Sequence, residues 1–194
     1  MKEKVILFNG ENLDSFVIMG TDKTPEWRIE NGAMTVTSGH IVSKEKFGDS
    51  HIHVEFNLPY MPEAEGQMRA NSGVYVQGIY EVQILDSYGK EEPRYDDCGG
   101  IYSQVPPLTN ACAAPGEWQT YDIILKTAKL DADGSIVEAA KITVIHNGKV
   151  IHNNYTLPDM TPGGLYKTVV ERGPLLLQDH GCPVSFRNVW VQPL

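Results

Sequence analysis

The hydrophobic pattern between residues 71 and 89 predicts two neighbouring β-strands whose polar side chains share one face. Side chains two residues apart on a strand lie on the same face of the sheet. Val74 and Val76 therefore face one way, while Tyr75 and Gln77 face the other. A turn near Gly78 ends this first strand.

The second strand repeats the alternation. Val82 and Ile84 take the apolar face, Glu81 and Gln83 take the opposite face, and Asp86 follows where the strand ends. The two strands thus present phenol, amide and carboxylate groups side by side, which suits the hydroxyl groups of a sugar. The same residues are also compatible with the ordinary polar outer face of a β-sandwich.

Alternating and turn-flanked segments predict further short strands along the whole chain. Asn31-Gly32 and Asn147-Gly148 indicate hairpins, because a type I′ turn needs positive φ at both of its central residues. The 18 Gly and 12 Pro residues fit many turns, and no long amphipathic helix is predicted. We therefore expect one all-β domain over residues 1–194, a sandwich or jelly roll of antiparallel strands. The other predicted strands are 6–8, which a turn at Asn9-Gly10 follows, and 27–30, 33–36, 39–42, 51–58, 118–125, 140–146, 149–153, 174–178 and 184–191.

Two other segments carry candidate chemistry. Residues 89–117 form a long irregular connection that contains Tyr102, and connections of this length are usually functional or mobile; we interpret it as a wall of a pocket. In the alternating segment 51–58, His53 and Glu55 share the polar face. They could be metal ligands, an acid–base pair, or simply solvated residues.

Composition limits the classes of partner. The net charge is −9 and no basic run occurs, so nucleic acid and anionic membrane surfaces are not expected partners. No apolar run approaches the roughly 20 residues of a membrane helix, and the N-terminal residues do not resemble a signal peptide. The expected localisation is therefore cytoplasmic, or the chain is a trimmed form of an exported protein.

The three cysteines, Cys98, Cys112 and Cys182, are an odd number with no close spacing. This disfavours a disulfide framework and a zinc site. We expect free, partly buried thiols rather than a nucleophilic cysteine.

Several segments together resemble the 3-keto-disaccharide hydrolase-like domain family, and they occur in family order over nearly the whole chain. These segments are Leu-Phe-Asn-Gly at 7–10, Asn-Ser-Gly-Val-Tyr at 71–75, Tyr-Glu-Val-Gln-Ile-Leu-Asp at 80–86, Gly-Ile-Tyr at 100–102, Pro-Gly-Glu-Trp-Gln-Thr-Tyr at 115–121, His-Asn-Gly at 146–148, Leu-Gln-Asp-His-Gly at 177–181 and Phe-Arg-Asn at 186–188. The resemblance implies a concanavalin A-like, laminarinase-like jelly roll of two antiparallel sheets. It also implies action on glycosides that a partner oxidoreductase has converted to the 3-keto form.

A conventional glycosidase needs two carboxyl groups, about 5–5.5 Å or 6.5–9.5 Å apart. Along residues 81–86 the middle position of the polar face is Gln83, the third is Leu85, and the next acid, Asp86, is shifted by one residue. A two-carboxylate mechanism is therefore not supported. Cleavage of a 3-keto sugar does not need this pair of carboxyl groups. Its ketone acidifies the proton on C2, and removal of that proton allows β-elimination of the group on C1.

For this chemistry we predict His180 as the base, with Glu81 and Asp86 as further catalytic groups. The predicted substrate-binding residues are Asn71, Tyr75, Gln77, Gln83, Tyr102, Gln178 and Asp179, with His53 and Glu55 as additional candidates. A divalent cation held by Glu81, Asp86 or Glu55 could polarise the ketone.

Two other functions remain open: a non-catalytic, lectin-like carbohydrate-binding module, and an interaction domain of laminin-G type. The candidate face is richer in Glu, Gln and His than in Trp, which favours catalysis.

Overall fold

A computed structural model describes residues 3–194 of the chain. Within this range two antiparallel β-sheets pack face to face around one apolar core, as the sequence predicted. The strands are β1 (Val5–Phe8), β2 (Phe16–Ile18), β3 (Arg28–Glu30), β4 (Ala33–Thr35), β5 (Ile41–Phe47), β6 (Ser50–Asn57), β7 (Ser72–Val76), β8 (Tyr80–Ile84), β9 (Trp118–Lys126), β10 (Lys129–Leu130), β11 (Ile136–Glu138), β12 (Lys141–His146), β13 (Lys149–Thr156), β14 (Gly173–Leu177) and β15 (Ser185–Pro193).

Strand order assigns each predicted segment to one of the two sheets. The larger sheet has eight strands in the order β13-β12-β9-β6-β15-β4-β3, and β1 also pairs with β15. The smaller sheet has the order β2-β5-β14-β7-β8. All strand pairs are antiparallel, and β10 and β11 form a separate small hairpin.

Side-chain alternation explains how the larger sheet covers the core. Along β6, Ile52, Val54 and Phe56 are buried, whereas His53 and Glu55 are only partly buried. The apolar side chains pack against the smaller sheet, and the two polar side chains therefore lie on the far side of the larger sheet.

Three adjacent strands of the smaller sheet, β14, β7 and the edge strand β8, are buried on both faces. Every residue of β7, β8 and β14 is buried. One face packs on the core, and long connections cover the other, since Leu165 N donates to Gly78 O at 2.7 Å and Tyr102 N donates to Glu81 O at 3.2 Å. The polar side chains on this second face are therefore enclosed rather than solvated.

Three features differ from the expected elements. The structure adds the short strand β2, the β10–β11 hairpin, and a single 3-10 turn at Gly66–Met68. None of these has the length or alternation that sequence patterns require. Within residues 3–194 no helix has the length and apolar character needed to cross a membrane.

The cysteines match the expectation of free thiols. Cys98, Cys112 and Cys182 are all unpaired and buried. Cys98 Sγ lies 3.2 Å from the hydroxyl oxygen of Tyr121 in the core.

Candidate functional site

A small cavity of about 180 Å³ lies on the enclosed second face of the smaller sheet, opposite the core. Tyr75, Glu81 and Gln83 point into it from the paired strands β7 and β8. The residues that line it are Gln67, Asn71, Tyr75, Glu81, Gln83, Tyr102, Pro162, Gly163, Gln178 and His180. Strand alternation thus brings these polar side chains into one hollow, together with residues from distant connections.

Glu81 and Tyr75 form a buried pair in this cavity. They are direct cross-strand partners, and the Tyr75 hydroxyl donates to Glu81 Oε2 at 2.8 Å. The same hydroxyl oxygen accepts a bond from Gln178 Nε2 at 3.3 Å. Gly73 lies beside Glu81, and a Cβ at this position would overlap Glu81 Oε1. Glycine at position 73 therefore leaves the space that the carboxyl group occupies.

Burial determines the protonation state of Glu81. The side chain is almost fully removed from solvent, which raises its pKa to about 8, and the Tyr75 hydrogen bond lowers the pKa only in part. The pKa of Tyr75 is itself raised by burial and by the neighbouring Glu81. At neutral pH, Glu81 is therefore mainly the neutral acid and can donate a proton.

An amide network fixes the cavity floor. Gln67 Oε1 accepts bonds from Asn71 Nδ2 at 3.0 Å and from Gln83 Nε2 at 2.9 Å, and Gln67 Nε2 donates to Asp96 O at 2.8 Å. With the amide nitrogens engaged in this way, the side-chain oxygens of Asn71 and Gln83 have no partner among residues 3–194, and neither does that of Gln178.

Buried polar atoms almost always have a hydrogen-bond partner. Three unpartnered amide oxygens in one cavity are thus acceptors suited to ligand hydroxyl groups. Together with Glu81 they are also the oxygen ligands that a hard divalent cation prefers.

His180 lies at the mouth of the cavity and is exposed. The preceding residue, Asp179, stabilises the turn. Its carboxylate accepts hydrogen bonds from Gly39 N at 2.7 Å and from Gly181 N at 2.8 Å. The Asp179 N–H donates to His40 Nδ1 at 3.0 Å. Asp179 does not line the cavity, contrary to its expected role in substrate binding. Its carboxylate is occupied by backbone amides, and it positions the loop that carries His180.

Gln77 and Asp86 also lie outside the cavity. Gln77 has a positive φ of 54°, so the alternation stops there, and its amide binds Thr127 Oγ1 and Glu171 O at 2.8 and 2.9 Å. Asp86 follows the end of β8 and faces a second depression, where its carboxylate lies 3.2 Å from Arg69 Nε. The predicted roles of both residues at this site are corrected accordingly.

His53 and Glu55 are on the far side of the larger sheet. His53 Nδ1 lies 2.9 Å from Asp122 Oδ1, and Glu55 accepts bonds from Arg187 and Asn188. Their strand, β6, belongs to the sheet that does not carry the cavity, so they cannot contact the same ligand.

Glu81, Asp86 and Glu55, each named above as a possible cation ligand, therefore lie in three separate places. No cluster of three or more His, Cys, Asp or Glu side chains in the described part of the chain is arranged to hold a metal ion.

Sequence reasoning missed three lining residues: Gln67, Pro162 and Gly163. Gln67 sits on the short 3-10 turn before β7 and organises the amide network. Proximity in sequence to Asn71 is the one signal that could have suggested it. Pro162 and Gly163 come from the connection 157–172, whose path over β7 and β8 depends on tertiary contacts.

Known structures share the fold of this chain. A protein of Parabacteroides distasonis ATCC 8503, provisionally described as a glycosyl hydrolase, has 38% identity and a TM-score of 0.90 over 98% of this chain and 84% of its own. A second such protein from the same organism has 20% identity and a TM-score of 0.75, covering 98% of this chain and 94% of its own. The carbohydrate-binding module CBM66 of Bacillus subtilis has 10% identity and a TM-score of 0.53, covering 90% of this chain and 93% of its own.

These neighbours agree with the predicted all-β jelly roll. No match was found among curated proteins. The family model of the 3-keto-alpha-glucoside-1,2-lyase-like domain matches residues 3–192. The resemblance first seen in scattered motifs thus extends over nearly the full length, and the chain belongs to the 3-keto-alpha-glucoside-1,2-lyase-like domain family.

Proposed function

We propose that this domain cleaves the glycosidic bond of 3-keto-glycosides by removing the proton on C2 and expelling the group on C1. The observation that carries the proposal is that Glu81, whose burial raises its pKa to about 8, shares a small cavity with His180. Membership of the family and the 38%-identical glycosyl hydrolase-like neighbour support the same class of substrate.

In this mechanism a base and an acid act in sequence. His180 takes the proton from C2, and the resulting negative charge collects on the oxygen at C3. The electron pair then forms the C1–C2 double bond as the C1–O bond breaks. The neutral Glu81 carboxyl stabilises the developing oxyanion by donating a hydrogen bond, and the leaving oxygen takes the proton that His180 removed from C2, which returns His180 to its basic form. Water adds to the unsaturated 3-keto sugar to complete hydrolysis.

The composition of the cavity favours this route over a conventional one. Glu81 is the single carboxyl group among the described residues that line the cavity, whereas retaining and inverting glycosidases use two. Elimination from a 3-keto sugar needs one acid and one base, which Glu81 and His180 provide. The unpartnered oxygens of Asn71, Gln83 and Gln178 would orient the sugar hydroxyls.

The proposal implies a partner activity. The substrate must first be oxidised at its C3 hydroxyl, so an oxidoreductase that acts on that carbon is needed before this domain. A divalent cation bound by the three amide oxygens would need Glu81 in its ionised form, and the cation would then replace the Glu81 proton as the group that stabilises the C3 oxygen. Assays with EDTA, followed by readdition of Mg²⁺ or Ca²⁺, test whether such an ion is required.

The decisive experiment compares His180→Ala with the wild type on methyl 3-keto-glucoside and on the unoxidised glucoside. The wild type is expected to turn over the 3-keto substrate alone. His180→Ala should lose about 10²–10⁴-fold in kcat, the usual contribution of a positioned proton-transfer group. Because His180 is exposed, the thermal unfolding midpoint should stay unchanged.

His51→Ala, on the far side of the larger sheet, is the matched control and should retain activity. Full activity in His180→Ala would remove His180 from the mechanism, and a wild type inactive on both substrates would refute the function.

A second candidate is a non-catalytic carbohydrate-binding module. The three unpartnered amide oxygens support this module as well as they support the enzyme, because they can bind sugar hydroxyl groups whether or not a reaction follows. Binding of a sugar without product formation would identify this alternative.

A further inference from the structure

The cavity is too small for a whole disaccharide. Its volume of about 180 Å³ lies below the roughly 300–1,000 Å³ of pockets that enclose drug-sized ligands. It therefore accommodates one sugar ring, and the second ring of a glycoside must lie outside, against whatever lines the mouth. Tyr102 lines the cavity, and the exposed ring of Tyr95 lies beside Tyr102.

The connection that carries Tyr102 is held firmly on the sheet. Gly99 N donates to Gln83 O at 2.8 Å, Gln83 N donates to Gly100 O at 2.9 Å, and Tyr102 N donates to Glu81 O at 3.2 Å. These bonds extend the sheet beyond the edge strand β8. Tyr102 is thereby fixed at the edge of the cavity before any ligand arrives.

Tyr95 stands next to Tyr102 and points towards solvent. The two ring centroids are 6.4 Å apart with an interplanar angle of 84°, and Tyr95 is 40% exposed. A Cβ at Gly100 would overlap the Tyr95 carbonyl, so glycine at position 100 permits this close packing of the chain. The Arg94 guanidinium carbon also lies 5.8 Å from the Tyr95 ring centroid, so Tyr95 is held by two neighbours and the part of its ring that stays exposed is available to a ligand.

The next residue links this surface to the cavity floor. The backbone carbonyl of Asp96 accepts the bond from Gln67, which organises the amide network. The Asp96 carboxylate accepts a bond from Arg94 Nε at 3.1 Å, and its other oxygen is an acceptor in the residue next to Tyr95. An aromatic face and an adjacent acceptor are the two elements that bind the apolar face and the hydroxyl groups of a sugar ring.

We propose that Tyr95, with Tyr102 and Asp96, forms a second subsite that binds the ring of the leaving group. This inference rests on the proposed function, and it names the substrates as glycosides whose leaving group is a sugar or an aryl ring. A preformed tyrosine supplies a large contact area with little loss of conformational freedom on binding. A leaving group without a ring would not reach it.

The test compares Tyr95→Ala and Tyr95→Phe on a 3-keto-disaccharide and on methyl 3-keto-glucoside. Tyr95→Ala should lose about tenfold in kcat/KM on the disaccharide, as for removal of one aromatic contact, and less than about twofold on the methyl glycoside. Tyr95→Phe keeps the ring and should stay within about twofold of the wild type on both substrates. Tyr60→Ala is the matched control, because Tyr60 is 77% exposed and lines none of the depressions described above.

Equal effects of Tyr95→Ala on the two substrates, or no effect on either, would overturn the subsite. If the wild type turns over neither substrate, the proposed function fails. The subsite is then tested separately by calorimetric measurement of the binding of the unoxidised disaccharide and of its monosaccharide. Tyr95→Ala should then weaken binding of the disaccharide alone. Unchanged disaccharide affinity in Tyr95→Ala would refute the subsite, independently of the failure of the proposed catalytic function.

Discussion

At the scale of single residues, Glu81 derives its chemistry from its surroundings rather than from its own properties. A carboxyl group in water is ionised at neutral pH, but burial against Tyr75 and beside Gly73 favours the neutral form. The cavity combines this acid with neutral amides and a phenol, and the single imidazole lies at its mouth. Such a site can donate a proton to an oxygen that gains charge, which a solvated glutamate could not do.

Tyr75→Phe should raise the pKa of Glu81 further. The Tyr75 hydroxyl donates to Glu81 Oε2, and this bond stabilises the ionised form and lowers the pKa of Glu81. Without it the pKa should move above about 8, and the alkaline limb of the pH profile of kcat/KM should shift to higher pH. Tyr80→Phe, on the neighbouring strand β8 and facing the core, should leave the alkaline limb in place. A limb that stays fixed or moves to lower pH in Tyr75→Phe would contradict the assignment.

At the scale of elements, two hairpin turns with the same sequence have different neighbours. Asn31-Gly32 and Asn147-Gly148 both adopt positive φ, as a type I′ turn requires. The Asn147 side chain also accepts a bond from Thr120 N at 2.9 Å and donates to Ala111 O at 2.9 Å. It thus joins the β12–β13 hairpin to β9 and to the long connection that forms the cavity wall.

Asn147→Ala should therefore destabilise the fold more than Asn31→Ala. Each substitution places alanine at positive φ, at a cost of about 1 kcal/mol. Asn147→Ala also loses two hydrogen bonds, each worth about 1 kcal/mol. We expect a loss of about 3 kcal/mol in the free energy of unfolding against about 1 kcal/mol for Asn31→Ala, measured by urea denaturation. Equal losses would show that the side-chain bonds of Asn147 do not contribute to stability.

Strand alternation could predict which side chains share a face, and it did so for Tyr75, Glu81 and Gln83. It could not predict which face of which sheet carries a cavity. The pattern around His53 and Glu55 is as regular as that around Glu81, yet β6 lies in the larger sheet. Alternation also fails where backbone geometry changes, as at Gln77, whose positive φ turns its side chain towards neighbouring connections. Both failures depend on tertiary structure, which local sequence does not encode.

At the scale of the whole molecule, two buried groups make stability depend on pH in opposite directions. Burial lowers the pKa of His146 to about 3, from 6.5 in an exposed chain. Between these values the unfolded chain binds a proton that the folded protein does not, so stability from this group rises with pH and is complete above 6.5. Glu81 behaves oppositely, because its pKa is raised from 4.5 to about 8.

Between pH 4.5 and 8 the folded protein retains the Glu81 proton that the unfolded chain has lost, so this group makes stability fall as pH rises. Glu81→Gln removes the titration and keeps an acceptor for the Tyr75 hydroxyl. The variant should therefore gain stability relative to the wild type by about 1.4 kcal/mol per pH unit across this range and gain no more above it. Urea unfolding at intervals from pH 4 to 9 measures the difference. Parallel curves for the two proteins would mean that Glu81 is already ionised in the folded state, and the neutral acid on which the catalytic proposal depends would then be absent.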